Sequence, residues 1–120
     1  MAEHNDFGAN GEQMAREFLV NEGYTILETN WKYRSHEVDI IAQKGDIMAF
    51  VEVKTRNSRF LGEPEFFVSK TQQHNYIRVA DAYVQQHNLQ NEVRFDIISI
   101  VLNSNEKTIK HITGAFSTIV

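Results

Sequence analysis

Val38-Asp39-Ile40-Ile41-Ala42 and, across a tight turn, Phe50-Val51-Glu52-Val53-Lys54 decide how this chain folds. Both segments are rich in Val, Ile and Phe and read as strands, and Gly45-Asp46 between them suits a two-residue hairpin loop of the Gly-X kind. With those two residues as the loop, Lys44 faces Ile47 and Asp39 faces Glu52. Directly opposed residues on paired strands have Cβ atoms about 5 Å apart, and like charges there repel unless something positive sits between them. Lys54 lies two residues beyond Glu52 and projects from the same face. The hairpin therefore predicts a site of two carboxylates suited to a cation, with one ammonium beside them. A register slip of one residue would put the acids on opposite faces.

The 120 residues suffice for a single domain, spanning 1–120, with a proper core. The absence of cysteine excludes disulfide scaffolds and thiolate metal sites, and it fits a reducing compartment. Met1-Ala2-Glu3-His4-Asn5-Asp6 lacks the basic start and apolar run of a signal peptide, and no stretch is long enough to span a bilayer. The expectation is a soluble cytoplasmic protein with no membrane partner.

The net charge of −4 argues against non-specific nucleic-acid binding, which depends on Lys and Arg neutralising phosphates. The charge is unevenly spread. Between Asn30 and Phe60 six basic residues (Lys32, Arg34, Lys44, Lys54, Arg56 and Arg59) outweigh four acids, leaving +2, whereas the remainder, with six basic and twelve acidic residues, carries −6. Positive charge thus gathers around the hairpin that carries the paired acids.

Helical spacing of Met14, Ala15, Phe18 and Leu19 predicts an amphipathic helix from about Asn10 to Asn21, with Asn10 and Gln13 as a capping box and Gly23 as its end. A strand from Tyr24 to Tyr33 precedes the hairpin. A loop from Thr55 to Val68 follows it, carrying Phe60, Leu61, Phe66 and Phe67, which are expected to fold back onto the core; a substrate or homodimer contact is the alternative. Ser69 with Gln72 opens a second helix to about His87, whose buried side is Tyr76, Ile77, Ala80, Tyr83 and Val84. Strands at Val93–Leu102 and Thr108–Thr113 complete an α-β-β-β-α-β-β order. This is an α/β class, a mixed sheet flanked by helices with its central strands covered on both faces.

Glu12 shares a helix face with Ala15, Arg16 and Leu19, at the flank of the packed side. Gly8 and Gly11 before it would allow close backbone approach, making Glu12 a candidate third ligand, against the plainer reading of a solvated glutamate in the first helical turn. The plainer reading of Lys54 is a cross-strand salt bridge to Asp39 or Glu52, an arrangement of little value for stability once desolvation is counted. The histidines show no metal-binding spacing. Arg94 and Asp96 share a strand face and read as a structural ion pair, with Asp96 a possible support for the site.

Gly11-Glu12-Gln13-Met14-Ala15, Gly23-Tyr24, Glu37-Val38-Asp39-Ile40-Ile41-Ala42, Phe50-Val51-Glu52-Val53-Lys54 and Arg94-Phe95-Asp96 occur in the same order in the bacterial UPF0102, or YraN, family. Over nearly its whole length the chain resembles that family. The family in turn is similar to the PD-(D/E)xK, restriction-endonuclease-like superfamily and to archaeal Holliday-junction resolvases. The resemblance implies a restriction-endonuclease-like core, with Glu12, Asp39 and Glu52 as magnesium- or manganese-binding acids and Lys54 as the catalytic lysine. It implies hydrolysis of DNA phosphodiester bonds, on branched DNA in recombination or repair, with Lys32, Arg34, Arg56, Lys70 and Gln73 as candidates for substrate contact. Two positions depart from the family pattern: His36 stands where many relatives have Gly, and Gln72-Gln73 where they have Lys-Gln, with Lys70 nearby. The alternative is a non-catalytic nucleic-acid-binding or partner-binding module with the same core.

Overall fold

A computed structural model of the chain describes residues 2–117, with side chains from residue 8 onward. The hairpin forms as its sequence requires. Strands β2 (His36–Lys44) and β3 (Ile47–Arg56) pair antiparallel in the register Lys44 to Ile47 through Ile40 to Val51. Gly45 turns the corner with φ +59°, a left-handed value that an L side chain rarely adopts, while Asp46 is not left-handed, as a Gly-X loop demands.

Around this pair the chain builds one five-stranded mixed sheet in the order β1-β2-β3-β4-β5. β1 (Thr25–Tyr33) runs antiparallel to β2, and β4 (Glu92–Leu102) parallel to β3 through a helical crossover. β5 (Lys107–Phe116) returns antiparallel to β4. A parallel neighbour needs a long connection, and helix α2 (Lys70–Gln86) supplies it. The expected element order is observed, with the single-turn 3₁₀ segment Pro64–Phe67 added in the loop after β3.

The two helices take opposite faces. Helix α1 (Ala2–Asn21) places Ala15 and Leu19 against Ile40, Ala42, Ala49, Val51, Ile98 and Ile100, all fully buried. Helix α2 sets Tyr76, Val79, Ala80 and Tyr83 on Ile41, Met48, Phe50 and Phe95. Apolar residues on both sides of β2 and β3 thus meet a helix on each, the pattern of a central strand. The Ser69 capping box forms as read: its hydroxyl accepts from Gln72 N–H at 3.1 Å, and Gln72 Oε1 accepts from Ser69 N–H at 3.1 Å.

Three expectations are corrected. Helix α1 starts at Ala2, not Asn10, because no proline or competing cap interrupts the backbone ladder through Gly8; Asn10 is interior, and Gln13 Nε2 donates to Glu17 instead of closing a capping box. Glu12 is therefore mid-helix, outside the reach of the N-terminal dipole. Gly8 has no neighbour within 4 Å of a built Cβ, so it mediates no close approach; Gly11 does. The loop aromatics do not fold back: Phe60, Leu61 and Phe66 are 91%, 82% and 74% exposed, and Phe67 is exposed under the Arg56 guanidinium, because Arg59 ties the turn to Glu63 and Glu106 with its tip outward. Among the described residues, no helix is long and apolar enough to cross a membrane.

Candidate active site

The β2–β3 ladder stops one step short of the two acids. Paired residues end at Ile40 and Val51, and beyond that point Val53 N–H donates to the Asp39 carboxylate, Oδ2, at 2.8 Å. Asp39 N–H donates to the Tyr76 hydroxyl at 3.1 Å. Polar side chains thus take over backbone bonding where the strands part, and Asp39 and Glu52 are the first residue on each strand beyond the last pair, joined through Tyr76. Tyr76, buried on α2, holds both: its hydroxyl also makes a short hydrogen bond to Glu52 Oε1.

Lys54 follows on the same face of β3, with Nζ 3.4 Å from Glu52 Oε2. The salt bridge expected for this lysine is therefore present, to Glu52 and along the strand, not across it. Glu12 is brought in by the contact of α1 with β3. A Cβ on Gly11 would lie 2.0 Å from Thr55 Oγ1 and 3.0 Å from Thr55 Cβ, so only glycine lets the helix lie this close to the end of β3. Asn30, at φ +51° opposite the Asp39 region of β2, donates from Nδ2 to Glu12 Oε1 at 3.3 Å.

The electrostatics express this crowding. Burial is the strongest influence on Asp39, Glu52 comes next, and Glu12 and Glu37 add to them; together they raise its pKa from 3.8 to about 8 against the opposing Val53 N–H. Burial, Asp39 and Glu52 likewise push Tyr76 well above the ordinary tyrosine range, so its hydroxyl keeps its proton and donates it. The crowding thus favours the protonated form of Asp39, while Lys54 is paired with the buried Glu52. Oxygen donors of this kind suit hard divalent cations. Asp39 and Glu52 are the pair able to hold one, with Glu12 at the margin. Among the described residues no group of three or more His, Asp or Glu side chains stands as a ready ligand set.

The remaining sequence candidates are spread around this centre. Lys32 pairs with Glu37 across β1 and β2, and Arg34 lies over the Tyr33 ring at the β1–β2 turn. Arg56, at the end of β3, lies 4.8 Å from the Phe67 ring centre. Lys70 and Gln73 line a cleft of about 280 Å³ with His74, Ile77 and Phe116, one helical turn from Tyr76. Tyr76 and Asn30 were missed as site residues. A tyrosine in an apolar helical stripe and an asparagine mid-strand carry no signal until the fold brings them to the acids.

Arg94 and Asp96 form the ion pair expected of them, with both Nε and Nη2 of Arg94 at 2.8 Å from the carboxylate. Asp96 is fully buried and also accepts from His111 Nε2 at 2.7 Å and Gly114 N–H at 3.0 Å. Burial works to raise its pKa, yet the His111, Arg94 and Gly114 donors overcome it and hold Asp96 below the usual carboxylate range. These partners pin β5 to β4, and none of them is a residue of the acidic cluster.

A mixed sheet covered by a helix on each face, parted at two acids with a lysine beside them, defines an α/β protein built around a carboxylate–lysine centre. The chain belongs to the UPF0102 family: the model described as "Uncharacterised protein family UPF0102" matches residues 11–100, which include every residue of that centre. A UPF0102 protein of Flavobacterium psychrophilum is 46% identical over 116 residues, covering 97% of this chain and 98% of its own. That of Christiangramia forsetii is 44% identical over 116 residues, with 97% and 98% covered. The UPF0102 protein of Myxococcus xanthus is 36% identical over 116 residues, with 96% and 92% covered.

Proposed function

We propose that the protein is a magnesium- or manganese-dependent nuclease of the restriction-endonuclease-like kind, hydrolysing phosphodiester bonds in DNA and acting on branched forms. One observation carries the reading: Asp39 and Glu52 crowd together where two central strands part, with Lys54 Nζ 3.4 Å from Glu52. A purely structural role does not account for it, since burying repelling carboxylates costs stability and a hydrophobic pair would fit the same strands better.

Magnesium takes few protein carboxylates and keeps several waters, so Asp39 and Glu52, with Glu12 reaching in, match its needs. When bound, it supplies Lewis acidity to the scissile phosphate and to an attacking water. Lys54 has two tasks in this scheme, orienting that water and stabilising the charge that develops on the phosphate oxygens. The water oxygen forms the new P–O bond, the ester P–O bond breaks, the water gives up a proton and the leaving oxygen gains one. Tyr76 holds Glu52 in position, and the Asp39 to Val53 hydrogen bond fixes the other acid, so both are oriented before substrate arrives.

The test is incubation of purified protein with single-stranded, duplex, flap and four-way-junction DNA in magnesium, in manganese and in chelator. Cleavage confined to the two metals supports the reading. Metal-independent DNA binding without cleavage of any form would replace it with a binding module.

A further inference from the structure

We infer that the turn Arg59-Phe60-Leu61-Gly62 is a stacking wedge that engages unpaired bases at a branch or single-stranded end; the inference rests on the proposed action on DNA and names which feature of the DNA is recognised. Phe60 and Leu61 are the two central residues of this turn, closed by Gly62 N–H to Arg59 C=O at 3.0 Å. Such corners ordinarily take Gly, Asn, Asp or Pro. Here they present the two most exposed large apolar side chains among the described residues, 91% and 82% in the open.

The exposure is held in place. Arg59 Nε donates to Glu63 at 2.9 Å, its Nη1 contacts Glu106, and Ser58 Oγ accepts from Phe60 N–H at 2.9 Å. Asn103 Nδ2 donates to Asn57 C=O at 2.7 Å, so the loop is strapped to the β4–β5 connection on one side while its tip points outward. A rigid apolar tip pays little ordering entropy when a base stacks on it.

Position and charge select the occupant. The loop begins at Asn57, three residues after Lys54, directly off the end of the strand that carries Glu52 and Lys54. Between Val53 and Gly62 the chain has three cations and no acid; Arg59 and Lys54 are engaged by glutamates, and Arg56 is the cation set beside the loop. Arg56 is thereby the cation of this segment available to a backbone phosphate beside a stacked base, since Glu52 answers Lys54 and Glu63 and Glu106 answer Arg59. Area gives the same answer. Phe60, Leu61 and Phe66 together offer at most roughly 500 Å², short of the ~800 Å² per partner of a stable protein interface, but ample for one or two bases, whose π-faces stack on aromatic side chains irrespective of sequence.

The experiment compares wild type, Phe60→Ala with Leu61→Ala, and Phe60→Trp, using a forked duplex with 2-aminopurine at the first unpaired position and a blunt duplex of the same sequence. Binding is measured by anisotropy in calcium, and cleavage separately in magnesium. Thermal midpoints check that these surface changes leave the fold intact. Loss of about tenfold or more in fork affinity by the double alanine variant is expected, with blunt-duplex affinity unchanged, the 2-aminopurine signal lost and both restored in Phe60→Trp. An equal loss on both DNAs, no loss on either, or no binding of DNA by the wild type overturns the wedge. So does a wild-type dimer, seen by sedimentation, that the alanine changes dissolve. Fork-selective binding without cleavage of any DNA would retain the wedge and sink the nuclease reading instead.

Discussion

Tyr76 and Glu52 share a short hydrogen bond between helix α2 and strand β3, and the same hydroxyl accepts the Asp39 N–H, so one helical side chain ties the two acid-bearing strands together where their own pairing ends. Tyr76→Phe removes that tie while keeping the ring packed. It leaves a buried carboxylate and a backbone N–H without their partner, which should cost about 1–3 kcal/mol by urea unfolding. Activity should fall further than stability explains, about tenfold or more in cleavage rate at a temperature where the variant is fully folded, because Glu52 is no longer aimed.

Asp39 makes the protein's stability depend on pH in an unusual direction. Its carboxyl titrates near 3.9 in an unfolded chain and at about 8 when folded. Between those values the folded state binds the extra proton, so its contribution to stability is lost as pH rises from about 4 to about 8. Asp39→Asn keeps an acceptor for Val53 N–H and removes the charge. At pH 9, without divalent cation, it should stabilise the protein by at least about 1 kcal/mol, roughly 4 °C in melting temperature. A melting temperature at or below that of wild type would show that the carboxylate is not strained. Carbon-detected NMR titration of Asp39 should in addition show its midpoint falling when magnesium is added.

Much of this centre is legible from the chain alone, and the reason is local. The hairpin that carries Asp39 and Glu52 to the point where its strands part follows from a two-residue loop and a period of two, both set by neighbours in sequence, and Ser69 with Gln72 is a cap complete within four residues. What the sequence hid depends on distance. The start of α1 has no breaker or cap to mark it, and Tyr76 looks like any core residue of an amphipathic helix until α2 is laid across β2 and β3. Exposure of Phe60 and Leu61 was hidden for the opposite reason: aromatic character says burial, and only the strapping of the loop by Arg59 turns it outward. Arg94 and Asp96 were visible as a pair, but His111 and Gly114 join them from another strand.

Gly11 offers a test of how Glu12 is positioned. Gly11→Ala drives a methyl group into Thr55 and must push α1 away from β3. The expected cost is about 1–3 kcal/mol, with weaker magnesium binding by calorimetry because Glu12 moves with the helix. Combining it with Thr55→Gly should recover most of both. Failure of the second change to restore stability would mean that the close approach is not what Gly11 provides.

The Asp96 network should matter for folding alone. Asp96→Ala leaves Arg94 and His111 without their shared carboxylate and is expected to cost about 3–5 kcal/mol. Because the folded Asp96 pKa is depressed, its contribution is present above pH 4 and disappears as pH falls through the folded value. Acid unfolding of the wild type measured with and without this substitution checks the sign: the difference between the two should shrink toward low pH.

The central claim, that the acids and the lysine form a hydrolytic centre, is tested most directly by single-turnover cleavage of a four-way-junction or flap DNA in magnesium by wild type, Glu52→Gln and Lys54→Ala. Both variants should fold, bind the DNA with near wild-type affinity and cleave at least about a hundredfold more slowly. Cleavage at an undiminished rate in both would contradict the account, because the activity would then belong to residues other than Glu52 and Lys54.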